Sequence, residues 1–310
     1  MARSFDGGNP DVPCDGLASI LSTRSRAKLM AIGLLDSGVG GLTIQRAVTD
    51  RLPTADLIYL ADQAHMPYGI RSGEDIVELT RAGCRRLFDD GCDLIILACN
   101  TASAIALRRL QQSWLPSVRL ALGRPANVLG IVVPTIEVVT GKAWNSHHAP
   151  SNTSVPQVVG VFATQATARS QVYEVEIAKR RPNISVVTEP CPGLAALIEQ
   201  GAGTQEVGAV IDHHVAAMLR RIGRPPDKVI LGSTHYQVVA ELFRRALPDT
   251  TELVQQPRAT AAALEAYLAR HPEFSVGKKG LRRFLTTGLP GTQHALVEAC
   301  WSESLLFESA

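Results

Sequence analysis

Aromatic residues are scarce in this 310-residue chain, at 5% of the total, while apolar residues of all kinds make up 45%. Its cores must therefore be aliphatic, built from Ala, Val, Leu and Ile. That share is enough for two ordinary buried cores and lies outside the disordered range. No apolar run approaches the roughly 20 residues needed to cross a bilayer, so no membrane-spanning helix is expected. Charge of neither sign dominates: 31 basic and 29 acidic side chains leave a net +2. Such a balance gives no field that would attract nucleic acid or a membrane surface. The six cysteines, at 14, 84, 92, 99, 191 and 300, include no CxxC pair and no Cys/His clustering. No metal site is expected on that pattern, and free thiols in a reducing cytoplasm fit better than a disulfide framework. Residues 1–29 hold only a short apolar stretch, Leu17 to Leu21, and carry Asp6, Asp11 and Asp15. They lack a signal-peptide core and are read as a flexible extension, or as a start-site artefact with Met30 as the beginning. A cytoplasmic location is the expectation.

What the chain does have is alternation. Short apolar runs at Ile32–Leu35, Asp56–Leu60, Leu94–Ala98, Val128–Val133, Val158–Phe162, Ile184–Val187 and Val229–Leu231 are separated by helical stretches such as Asp75–Phe88 and Gly208–Ile222. That rhythm predicts an α/β fold with mostly parallel strands. It also repeats internally. Ile95 to Thr101 aligns without gaps on Val229 to His235, and Gly33 to Ser37 on Gly160 to Thr164. The chain is therefore predicted to form two pseudosymmetric α/β domains, residues 30–125 plus 240–310 and residues 126–239. Polar groups at facing strand ends would enclose a small ligand between them. The polar stretch Gly141 to Pro156 reads as a surface insertion in which His147 and His148 are solvated. His213 and His214 lie on a predicted helix, where neighbours point about 100° apart and do not share a metal.

Few residues are placed for chemistry. Cys99 follows a buried strand and precedes a helix, where the dipole and free N–H groups lower a thiol pKa. Asn100, Thr101 and Ser103 beside it are more polar than an inert core needs. Asp36-Ser37-Gly38-Val39-Gly40-Gly41 is equally a helix cap and an anion-binding turn. It does not fit the dinucleotide fingerprint, and no cofactor is expected. Pro67-Tyr68-Gly69 is a turn by composition. His235 occupies the segment equivalent to that of Cys99, although a lone histidine reads first as structural.

Together, Asp36 to Leu42, Pro67-Tyr68-Gly69, Cys99-Asn100-Thr101-Ala102-Ser103-Ala104 and Thr234-His235-Tyr236 resemble the motifs of the glutamate racemases, within the aspartate/glutamate racemase superfamily. They occur in the family's order, and the similarity covers about residues 31 to 270. The resemblance implies cofactor-independent interconversion of L- and D-glutamate, with one cysteine removing the α-proton and a second protonating the other face. It makes Cys99 the first of these, Asp36 its assistant and His235 the assistant of the second. Ser37, Pro67, Tyr68, Gly69, Asn100, Thr101 and Thr234 match positions that hold the substrate. It also implies a homodimer that supplies D-glutamate for bacterial peptidoglycan, with a small-molecule substrate and no nucleic-acid or membrane partner. The departures are Ser233, where the family has its second cysteine, and Gln237, where it has proline. A serine hydroxyl is no base at neutral pH. Two other readings therefore stand beside the racemase: a single-cysteine decarboxylase or isomerase of a related acid, and a degenerate ligand-binding relative. Against the former, the decarboxylase pattern keeps the second cysteine, whereas this chain keeps the first.

Overall fold

A computed structural model describes residues 31–142, 156–274, 276–290, 294–301 and 305–310. The extension 1–29 and the His147-His148 pair lie outside them. The described chain contains strands β1 (Ile32–Asp36), β2 (Leu57–Ala61), β3 (Leu94–Leu97), β4 (Asn127–Gly130), β5 (Gln157–Ala163), β6 (Ile184–Pro190), β7 (Lys228–Gly232), β8 (Glu252–Leu253), β9 (Arg282–Thr286) and β10 (Glu308–Ser309). They form two sheets, ordered β10-β9-β2-β1-β3-β4 and β6-β5-β7-β8. Every pairing in both is parallel.

This is the expected α/β fold. β1, β2 and β3 are buried along their whole length, because helices cover both faces and leave no polar face to alternate. Ile76, Leu87, Ile95 and Leu97 build the core on one side of the larger sheet. Leu34, Val48 and Leu57 lie on the other, in a core continuous with Phe162, Leu231 and Phe243 of the second half. Val161, Ile177 and Ile230 form a third.

Two sheet assignments differ from the sequence expectation. The sequence puts β4 in the second half, yet it pairs with β3 (Leu94 opposite Asn127), and β8 pairs with β7 rather than joining the first sheet. Both are short edge strands, and an apolar run carries no mark of which sheet it joins. The run Val128–Val133 is also not one strand. It is β4 followed by the helix Val132–Thr140, whose first turn accepts Pro134 because no intrahelical N–H is lost there. β9 and β10 extend the first sheet beyond β2 with a segment that carried no sequence expectation.

The strand order fixes where a ligand can sit. From β1 the chain turns to one side to reach β2, whereas β3 and β4 lie on the other, so a crevice opens between the C-terminal ends of β1 and β3. In the second sheet the same switch falls between β5 and β7. Asp36 and Cys99 leave the first crevice, Thr164 and Ser233 the second.

Candidate active site

Cys99 is the N-cap of the helix Asn100–Ile105, two residues beyond β3. Its buried Sγ lies 3.5 Å from Ser37 Oγ. Burial foremost, with the Asp36 charge adding to it, pushes the thiol up to about 12, against backbone N–H groups at Ala102 and Ser37. The sequence argument from the helix terminus expects the opposite direction. Desolvation of the thiolate outweighs those few N–H groups.

Asp36 ends β1 and is fully buried. Its Oδ2 accepts the Gly41 N–H at 2.6 Å and the Thr234 hydroxyl at 3.3 Å, with the Tyr59 hydroxyl at 3.4 Å. The Thr234 contact spans the two halves. Oδ1 is buried without a hydrogen-bond partner among the described residues. Burial raises the Asp36 pKa, and the nearby His235 opposes it. A half-satisfied buried carboxyl is costly unless it carries a proton or meets a ligand.

The glycines of the Asp36–Gly41 turn answer a packing need. A Cβ on Gly41 would lie 2.8 Å from both Asp36 Cβ and the Tyr59 hydroxyl, and one on Gly40 would lie 2.9 Å from the His235 backbone nitrogen. No Asp36 or Ser37 side chain caps the helix that follows, Leu42–Arg51, whose N-cap is Gly41. The turn instead caps the Asp36 carboxylate with its own N–H, and its backbone lies against the second half.

Across the crevice, Ser233 is the N-cap of the helix Thr234–Val238 and His235 lies within its first turn. Both are buried. His235 Nε2 bonds Glu199 Oε2, from the end of the helix Leu194–Glu199. Burial lowers the imidazole pKa, but the hydrogen bond and charge of Glu199, with the charge of Asp36, outweigh it and leave a net rise. Glu199 was missed by sequence reasoning. A carboxylate on a short helix that joins no motif gives no signal until the fold brings it to His235.

Hydroxyls line the junction of the halves. Thr101 Oγ1 lies 3.1 Å from Thr164 Oγ1 and 3.2 Å from Thr167 Oγ1. A Cβ on Gly69 would lie 2.7 Å from Thr164 Cβ, so Pro67-Tyr68-Gly69 also abuts the second half. Thr164 and Thr167 were not among the expected site residues, though Thr164 was legible as the internal-repeat partner of Ser37. Asn100 is differently employed. Its amide exchanges hydrogen bonds with Gln256 (2.9 and 3.1 Å) and accepts the Tyr173 hydroxyl at 2.8 Å, while Gln256 also donates to Thr135. The side chain is thus a buried link between the halves.

Among the described residues no three His, Cys, Asp or Glu side chains converge to hold a metal ion. His214 bonds Glu189 at 2.9 Å beside Arg221, a structural cluster distant in function from a metal site. A cavity of about 790 Å³ lies elsewhere, lined by Ser103, Leu107, Val133, Glu176 and Tyr267 among others. It includes none of Asp36, Cys99, Ser233 or His235, so the convergent polar groups mark the site better than the open volume does.

Cys99, Ser233, His235 and Glu199 lie within a stretch, 42–264, that matches the family model described as Asp/Glu/Hydantoin racemase, and the turn from Asp36 to Gly41 lies just before it. The chain belongs to that racemase family. Among its racemase relatives, the glutamate racemase of Phenylobacterium zucineum (strain HLK1) is 60% identical over 283 residues, covering 91% of this chain and all of that protein. That of Caulobacter sp. (strain K31) is 59% identical over the same span. In three dimensions the chain is similar to glutamate racemase from Francisella tularensis subsp. tularensis SCHU S4, solved with D-glutamate. The TM-score is 0.72 at 27% identity, with 90% of this chain and 97% of that one covered. Among the described residues, no helix is long and apolar enough to cross a membrane.

Proposed function

We propose that this chain interconverts L- and D-glutamate by removing the α-proton on one face and returning a proton to the other. One observation carries the reading: two equivalent strand ends face each other, Cys99 with Asp36 on one side and Ser233 with His235 and Glu199 on the other. In the first step the Cys99 thiolate takes the α-proton, and the electron pair is left on the α-carbon and its carboxylate. Asp36, held by Gly41 and Thr234, accepts or returns the thiol proton. Ser37, Thr101, Thr234 and the Pro67-Tyr68-Gly69 segment hold the substrate's charged groups.

The second proton is where Ser233 matters. Its hydroxyl stays protonated at neutral pH and needs a base to act. His235 is poorly suited to be that base, since Glu199 and Asp36 favour its protonated form. The same preference suits an imidazolium that delivers the proton. His235 is therefore proposed as the donor on the second face; in the reverse direction its neutral form takes the α-proton there and the Cys99 thiol returns one on the first. The two enantiomers are equal in free energy, so kcat/KM must be the same from either side whatever group does the work. The product would supply D-glutamate for peptidoglycan. The family resemblance also implies a cytoplasmic homodimer.

The deciding test is incubation with each enantiomer in D₂O, following α-deuteration by NMR and inversion by optical rotation. Deuteration with inversion from both enantiomers is the expected result. Deuteration with retention from one enantiomer alone would mean that Cys99 works without a partner. No exchange from either would overturn the reading.

A further inference from the structure

The substrate segment Pro67-Tyr68-Gly69 is held from a part of the chain outside the family-matched residues. Tyr68 is buried, and its hydroxyl donates to Asp62 Oδ2 at 2.6 Å. Asp62 is itself buried, and its other oxygen is held twice. Oδ1 accepts the Thr287 hydroxyl at 2.7 Å and lies 2.8 Å from His65 Nδ1. The Thr287 hydroxyl oxygen in turn accepts the Ala64 N–H at 3.1 Å, and the Thr287 N–H donates to Ala61 O at 3.1 Å. One residue earlier, the Thr286 hydroxyl donates to Gln63 Oε1. Both threonines leave the end of β9, which pairs with β2 through Ala61 opposite Thr286. The C-terminal end of β9 thus grips residues 61–64 at several points, shortly before the turn that presents Tyr68.

We infer that Thr287 is a positioning residue of the active site, acting through Asp62 to fix Tyr68 and the segment around it. A carboxylate whose two oxygens are bound from opposite sides cannot swing, and the tyrosine hydroxyl that donates to it is fixed with it. Thr287 lies on the solvent side of this chain of bonds and seals it. Without its hydroxyl, Asp62 Oδ1 keeps only its contact with the half-exposed His65, the Ala64 N–H falls to water, and the segment that grips the substrate loosens. The inference rests on the glutamate reading for what the segment binds, but not for the link itself.

The test uses the full chain carrying Thr287→Val, Thr287→Ser and Tyr68→Phe, with two readouts. Amide hydrogen exchange of peptides spanning 62–71 reports the link without any ligand. Titration calorimetry with D-glutamate reports its effect on binding. Thr287→Val is expected to speed exchange in that span and weaken glutamate binding about ten-fold, the size of one lost charge-assisted hydrogen bond. Thr287→Ser keeps both near the parent values. In a Tyr68→Phe background, Thr287→Val should add little, because the bond it supports is already gone. Unchanged exchange in Thr287→Val, or an equal loss of affinity with and without the Tyr68 hydroxyl, would overturn the inference. If the parent binds no glutamate while exchange still responds to Thr287→Val, the glutamate reading fails and the link stands.

Discussion

A thiol and a hydroxyl occupy equivalent strand ends in this molecule, and their acidities set what each can do. Replacing Ser233 by cysteine restores a second group able to cycle its proton near neutrality. Racemisation should then rise by up to about 10²–10⁴-fold, because a thiol there can also take the α-proton, a role for which His235, favoured in its protonated form, is poorly suited. Circular dichroism of glutamate follows this directly, and an unchanged rate would mean that His235 already does the whole of the work. Cys99→Ala should bring both racemisation and α-deuteration below detection. The Cys99 thiol stands at about 12 because of burial and then Asp36. Thiolate is the abstracting form, so deuteration should climb steadily from pH 7 to 9 and fall away in acid. A flat profile would show that Asp36 takes the thiol proton within the same step. His235 titrates with the opposite consequence. Its folded pKa is raised, so the stability it gains from Glu199 is complete below its unfolded value of about 6.5 and is lost as pH rises through the folded value. The difference in melting temperature between the parent and Glu199→Gln should therefore shrink as pH rises above neutrality.

At the scale of elements, the turn after β1 holds positions with no room for a side chain. Gly41→Ala would force a methyl against Asp36 and the Tyr59 hydroxyl. Its expected cost is about 1–3 kcal/mol in urea unfolding, with a larger fall in kcat/KM because the Asp36 carboxylate must shift. The strands that set this turn were legible beforehand. β1, β2, β3, β5 and β7 are long enough and buried enough to show as apolar runs, while the part-exposed edge strand β6 shows only through Ile184, Val186 and Val187. The rest was hidden for identifiable reasons. β8 and β10 are two residues each and have no periodicity to detect. β9 opens with Arg282 and Arg283, which mask an otherwise apolar strand. Among site residues, those inside strand-end motifs could be read from their neighbours. Glu199, Gln256 and Thr287 act from segments with no motif, and only tertiary structure joins them to Cys99, Asn100 and Tyr68.

At the scale of the whole molecule, the halves meet through polar contacts as well as apolar packing. The buried exchange between Asn100 and Gln256, with Tyr173 and Thr135 attached, starts from the residue that follows Cys99. Gln256→Leu keeps the volume but strands the Asn100 amide N–H, while the Thr135 hydroxyl keeps its bond to Ile131 O. A loss of about 1–3 kcal/mol is expected. Because Asn100 follows Cys99, glutamate binding should weaken as well; a variant that loses stability yet binds as before would limit the network to a structural role.

The larger sheet also has a consequence for how the protein comes into being. Its strands are not synthesised together: β1 to β4 emerge first, while β9 pairs with β2 across more than 200 intervening residues. Until the ribosome has delivered β9, the outer edge of β2 offers unpaired backbone groups, and an open apolar edge is where nascent chains stick to one another. The whole smaller sheet, β5 to β8, is made during that interval. Its helices can form and settle while the first half waits, so the order of translation casts the second half as the scaffold on which the first is finished.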